Sequence, residues 1–160
     1  MKSINKLFFL VALIVSVVGC SKKPEIENTS TVKMAGEFFV ESFKDGAHEY
    51  DFEKIMTYNT SDPASSQIWL DDLKHTWWFK GKFDIDYATL SFKPKTGIPN
   101  LHATGETINV LEGKVIPGGG HSKTGVAVDS IYLKATFSDD PGHTWEFKGH
   151  GRTGFFEDEY

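Results

Sequence analysis

Two stretches of this chain alternate so strictly that they leave little but β-sheet open to it. Between Asp129 and Phe137, the apolar Ile131, Leu133, Ala135 and Phe137 are separated by Ser130, Tyr132, Lys134 and Thr136. From Thr144 onward, Trp145 and Phe147 alternate with Glu146 and Lys148. A strand turns successive side chains to opposite faces, so a period of two marks a strand with one face in a core and the other in water. The same rhythm predicts a strand from Trp77 to Tyr87. It puts Trp77, Phe79, Phe83 and Ile85 on one face and Lys80, Lys82, Asp84 and Asp86 on the other. Further strands are expected at Glu37–Phe43, Ile55–Thr60, Gln67–Leu70, Ala88–Phe92, Glu106–Leu111 and Lys114–Ile116. Turn signals separate them at Lys44-Asp45-Gly46, Ser61-Asp62-Pro63, Pro117-Gly118-Gly119-Gly120 and Asp139-Asp140-Pro141-Gly142. Leu111-Glu112-Gly113-Lys114 reads as a tight hairpin. No long helical period and no internal repeat appears. The expectation is an all-β fold, a single antiparallel up-and-down barrel of about eight strands, in preference to a sandwich. Closure removes exposed edges, and about eight strands enclose packed side chains or one small ligand.

Ahead of the strands stands a different kind of sequence. Lys2 and Lys6 precede an apolar run from Leu7 to Val18, broken only by Ser16 and ending Val17-Val18-Gly19-Cys20. The run has the length of a signal-peptide core and is short for a bilayer span. The stretch resembles a bacterial lipobox. That resemblance implies a signal peptide over 1–19, cleavage before Cys20, and a diacylglycerol on the Cys20 thiol. Cys20 is the only cysteine, so no internal disulfide can form, and the mature domain has no thiol chemistry. Residues 20–33 read as the lipidated cysteine and a polar, flexible tether, and 34–160 as the barrel domain. Some envelope lipoproteins of the Bacteroidetes carry acidic residues just after the cysteine and go to the cell surface. Lys22 and Lys23 stand there instead, which favours the periplasmic face of the outer membrane.

Charge excludes one class of partner. Of 17 basic residues, Lys2 and Lys6 leave with the signal, so 15 face 22 acidic ones, a balance of −7. Such a domain is a poor nucleic-acid binder, because phosphate contacts dominate that affinity. Aromatic residues make up 14% of the chain, and they must fill a core, line a pocket or both.

Several segments together resemble the lipid-binding putative hydrolase family of Bacteroidetes envelope lipoproteins. They are Ala35-Gly36-Glu37-Phe38-Phe39-Val40, Thr57-Tyr58-Asn59-Thr60, Ile68-Trp69-Leu70-Asp71-Asp72, and Asp139 through Tyr160 with its Gly149-His150-Gly151-Arg152-Thr153-Gly154-Phe155. The resemblance implies a calycin-type (lipocalin-like) β-barrel, and a binding or hydrolytic role with no catalytic residues to carry over. Calycins place Gly-x-Trp on the first strand and a basic residue near the last strand that packs over the Trp and seals one end. Gly36-Glu37-Phe38 resembles the first half, with Phe for Trp, and Arg152 is placed for the second. Arg152 is the only arginine beside 16 lysines. Its expected roles are a cap over Phe38, a pair with Glu157 or Asp158, or a clamp for an anionic group. If Trp145 and Phe147 point inward, so do Gly149 and Gly151, which sends His150 and Arg152 outward or to the rim.

Candidate ligand-lining aromatics are Trp69, Trp77, Phe79, Tyr132 and Trp145, each of which can equally be core. Gly118 to Gly125 departs from both a P-loop and a nucleophile elbow and reads as a hairpin or mouth loop. His121 and Ser122 are the only nucleophile pair it offers. The histidines are scattered without His-x-His spacing, so neither a metal site nor a cofactor is expected. The paired carboxylates Asp71-Asp72 and Asp84-Ile-Asp86 read as solvated surface. The leading reading is a non-enzymatic module binding a small apolar or amphipathic, lipid-like ligand, with the membrane as partner through Cys20. The alternatives are a lipid or ester hydrolase, and a structural subunit of an envelope complex whose barrel is filled by its own side chains. Interior volume separates the first from the last: a barrel plugged by its own aromatics would sink the reading in which the ligand is held inside it.

Overall fold

A computed structural model of the chain describes residues 28–62 and 64–160. The signal segment and Cys20 lie outside them. Nine strands follow in order: β1 (Gly36–Lys44), β2 (Ala47–Asn59), β3 (Gln67–Asp71), β4 (Lys80–Asp86), β5 (Ser91–Phe92), β6 (Lys95–Pro99), β7 (Thr107–His121), β8 (Ala127–Phe137) and β9 (Trp145–Gly151). Neighbours in the sheet run β5-β4-β3-β2-β1-β9-β8-β7-β6, all antiparallel, and β5 also pairs with β7 through Ser91 and Lys114. That contact closes an eight-stranded barrel, with β6 as an extra strand on β7.

Where the sequence alternates, the strands follow it. Ile131, Leu133, Ala135 and Phe137 are buried on β8, and Trp145 and Phe147 on β9. The β1–β2 hairpin turns at Asp45 and Gly46, both at positive φ, the geometry that a two-residue hairpin favours.

Elsewhere the strands differ from expectation. β4 begins only at Lys80, because Trp78 sits at φ 54° and breaks the alternation between Trp77 and Phe79. Ala88–Leu90 is a turn rather than a strand, with Leu90 at φ 53°. β6 was not anticipated. The predicted hairpin at Leu111–Lys114 does not exist. β7 runs straight through it, and a register shift between Val110 and Glu112 leaves Leu111 bulged outward. Gly113 is a packing glycine, not a turn glycine. A Cβ there would lie 2.8 Å from the Tyr132 carbonyl oxygen and 2.9 Å from the Phe92 ring.

The barrel interior is filled. Phe79, Phe83, Phe92, Trp145 and Phe147 are among its largest wholly buried side chains. They pack ring to ring: Phe79 to Phe147 at 5.0 Å, Phe79 to Phe137 at 5.3 Å, and Trp77 over Trp145 at 4.5 Å between centroids. One end is closed by the turn before β1, where Met34 is wholly buried and gives its carbonyl to the Thr57 hydroxyl. Thr31 in that turn is also buried, so the last residues of the segment read as tether pack against the barrel. After β9 the chain folds back over the outer wall. Tyr160 lies on Phe39 and Phe52, and its hydroxyl oxygen is 2.9 Å from His150 Nε2. His150 therefore points outward as expected, yet is covered.

Candidate functional site

With the interior packed, the two prominent cavities lie on the barrel's outside and at its mouth. The larger, about 490 Å³, is a groove on the outer wall where β6 lies beside β3 and β4. Trp69, Ile98, Pro99 and Leu101 give it apolar surface, and Gln67, Lys82 and Lys95 stand around them. Leu101 is 58% exposed and is the most open apolar side chain of the groove. Local sequence explains the groove. Trp69 is an outward residue of β3, between the buried Ile68 and Leu70, and it stands opposite Lys82 on β4. Pro94 and Pro99 bracket β6 and bring no N–H to its junction with β4.

Beside the groove lies a buried polar cluster. Asp71 receives the Lys80 ammonium at 2.8 Å, the Leu73 N–H at 2.9 Å and the Tyr58 hydroxyl at 3.2 Å, and His102 Nε2 is 2.9 Å away. Burial pushes the Asp71 carboxyl up, but the hydrogen bonds from Lys80, Leu73 and His102 outweigh it and hold it at about 2. Asp72 is wholly buried and accepts the N–H groups of Lys74 and Phe79, each at 2.9 Å. The expectation that Asp71-Asp72 is solvated surface is thus corrected: the strand ends at Asp71, and the following loop wraps around the pair. Asp84 does face outward and pairs with Lys95 and Gln67.

Ligating atoms of Asp71, Asp72 and His102 come within 4.8 Å of one another, as do those of Glu41, His48 and Asp51 on the β1–β2 hairpin. Both groups mix carboxylates with one histidine across distant positions, which a search for His-x-His spacing passes over. In the first, the Lys80 ammonium already occupies the cation's place.

The five candidate aromatics separate. Phe79 and Trp145 are wholly buried in the core, and the Trp145 indole N–H is satisfied by Asp140 at 2.8 Å. Trp77 lies at the mouth opposite the Met34 turn, in a cavity of about 310 Å³ shared with Tyr50, Trp78, Glu106 and Asp139. Burial and the neighbouring Asp139 raise the Glu106 carboxyl above its ordinary range. Tyr132 faces outward on β8 and donates to Glu112 at 3.2 Å; burial, Glu146 and Glu112 push its hydroxyl up to about 12. Only Trp69 lines the groove. Ile98, Leu101 and Lys82 were not singled out by the sequence.

Of the closure residues, Gly36 opens β1 and Phe38 points into the core. Arg152 pairs with Glu37 and Glu159, both at 2.6 Å, rather than with Glu157 or Asp158. Glu37 is one residue out of phase with Phe38, so the guanidinium ties the outer rim to the C-terminal segment. Asp158 instead accepts from the Thr153 hydroxyl and the Thr124 N–H, which hold its carboxyl at about 2 against burial.

The arrangement is short of a hydrolytic centre among the described residues. Ser122 is buried in a turn, where its oxygen accepts the Val126 N–H at 3.1 Å and lies 3.4 Å from the Thr124 hydroxyl, while the adjacent His121 is exposed. His102 is oriented by a carboxylate as a general base is, but no serine or threonine hydroxyl is bonded to its other ring nitrogen.

The chain is a closed antiparallel barrel of eight strands with an apolar groove on its outer wall. The chain belongs to the lipid-binding putative hydrolase family, whose pattern it matches over residues 23–156. Family and fold together fit lipid binding. No curated protein matches the chain.

Proposed function

We propose that this is a lipid-anchored envelope protein that holds one lipid-like molecule in the groove between β3, β4 and β6. The observation that carries the ligand site is the pairing of a filled interior with a half-open apolar groove outside it. Aromatics from β4, β8 and β9 occupy the volume a lipocalin-like ligand would take, while Trp69, Pro99 and Leu101 leave apolar surface in contact with water. The anchor rests on the sequence. A charged start, a short apolar run and a lone Cys20 imply a signal peptide over 1–19 and acylation of the new N-terminus. Two acyl chains hold a protein to a bilayer stably, at about 0.8 kcal/mol per buried methylene. Lys22 and Lys23 favour the periplasmic face of the outer membrane.

The test is native mass spectrometry of the protein purified from its host membranes. The account expects a chain beginning at an acylated Cys20, release to the soluble fraction by Cys20→Ala, and one non-covalent lipid that is lost in Trp69→Ala. An unmodified Cys20 would end the anchor reading. A chain that carries no lipid and takes none up would leave the filled barrel as a structural subunit, the reading that the packed interior otherwise favours.

A further inference from the structure

The groove's charge is uneven. The outward row of β4 runs Lys80, Lys82, Asp84. Lys80 is neutralised by Asp71 at 2.8 Å, and Asp84 by Lys95 at 2.8 Å. Lys82, between them, pairs with no carboxylate among the described residues. Its ammonium stands 5.0 Å from the centre of the Trp69 ring.

The backbone is open at the same place. The Leu101 N–H donates to the Lys80 carbonyl and the Lys93 N–H to the Asp84 carbonyl, both at 2.8 Å. Between those two bonds β4 and β6 share no ladder. Carbonyls two residues apart on a strand point the same way, so the Lys82 peptide also faces β6. An ammonium with no carboxylate partner among the described residues therefore stands beside Trp69 at the head of a groove that ends at the exposed Leu101.

We infer that the groove selects a single-chain amphiphile with an anionic head, carboxylate or phosphate, seated on Lys82, with its chain running over Trp69 and Pro99 toward Leu101. This rests on the groove being the lipid site. The chain's net charge is −5, so an anion gains nothing from the protein's overall field. The attraction is local to Lys82 and acts as a compact point charge.

The experiment uses the chain from residue 21, which contains the whole barrel. It compares myristic acid, myristyl phosphate and myristyl alcohol by calorimetry. The acid and the phosphate are expected to bind about tenfold tighter than the alcohol, with the gap shrinking at high salt. Lys82→Gln should close the gap while alcohol binding persists, and Lys82→Arg should keep it open. A phosphate that binds tighter than the acid would support the inference with a phospholipid as source, and equal binding would support it for either anion. An alcohol that binds as tightly as the acid, or a gap unchanged in Lys82→Gln, would overturn the head-group inference and leave the lipid site standing. Binding of none of the three would overturn both.

Discussion

The Asp72 carboxylate accepts the backbone N–H of Phe79 at 2.9 Å, closing the loop between β3 and β4 across seven residues. The same side chain receives the Lys74 N–H and both the N–H and the hydroxyl of Thr76. That loop carries Leu73, Lys74 and Trp78 at positive φ, a strained path for residues with a Cβ. Asp72 holds the strain by satisfying four donors, and it delivers Phe79 into the core. Asp72→Ala leaves the Thr76 and Phe79 donors buried without a partner, and is expected to destabilise the fold by about 3 kcal/mol. Asp72→Asn, which retains one acceptor oxygen, should cost about half as much. Urea denaturation of the pair checks both values.

Asp71 gives the molecule an acid limb. Its carboxyl is held at about 2, below the ordinary value near 4. A carboxyl depressed by folding stabilises the native state above its unfolded pKa, and that contribution disappears as pH falls through the folded value. The Asp71 contribution should therefore be constant above about pH 4.5 and fall away between about pH 4 and 2. The Asp71 share is of order 1–2 kcal/mol after allowance for solvent screening. Asp71→Asn should be less stable at neutral pH and should lose that part of the slope. Thermal melts of both proteins from pH 2 to 7 read it directly.

Gly149 and Gly151 look alike on β9, and the fold treats them differently. A Cβ at Gly149 would fall on the carbonyl of Phe39 in the neighbouring strand, whereas one at Gly151 meets nothing closer than 3.4 Å. Gly149→Ala must part β1 from β9, and is expected to cost more than about 3 kcal/mol or to prevent folding. Gly151→Ala should change stability by less than about 1 kcal/mol. Expression yield and melting temperature of the two variants settle the contrast.

Most of the barrel wall was legible from local pattern. The alternation of Ile131 to Phe137 and of Trp145 to Phe147 became the inward rows of β8 and β9 without change. The misreadings share a physical cause, which is that a local signal was outvoted by a distant neighbour. Gly113 resembles a turn residue until Phe92 and the Tyr132 carbonyl are found pressed against it. β6 was invisible because Gly97, Pro94 and Pro99 are poor strand residues, and it forms because β7 offers it a partner. The site suffered most. An aromatic residue on a strand carries no mark saying whether it fills a barrel, as Trp145 does, or stands outside it, as Trp69 does. Lys82 matters only once β6 is seen to leave the seam beside it open.

Filling and binding should come apart under mutation. Phe79 is wholly buried and packs on Phe137 and Phe147. Phe79→Ala is expected to cost about 3–5 kcal/mol through lost burial and the cavity left behind. Trp69→Ala removes a groove wall and should cost about 1 kcal/mol of stability while weakening lipid binding at least tenfold. Denaturation midpoints and myristate titrations on both variants test the separation.

Where the ligand sits is the central claim, and brominated acyl chains locate it. Bromine quenches indole fluorescence only at close range, and the four tryptophans occupy different places. Trp69 lies in the outer groove, Trp77 and Trp78 at the mouth, and Trp145 in the core. Titrating dibromostearate should quench a fraction of the emission, and that fraction should vanish in Trp69→Phe and survive in Trp77→Phe. Quenching that persists in Trp69→Phe and disappears in Trp77→Phe would place the ligand at the barrel mouth and contradict the account.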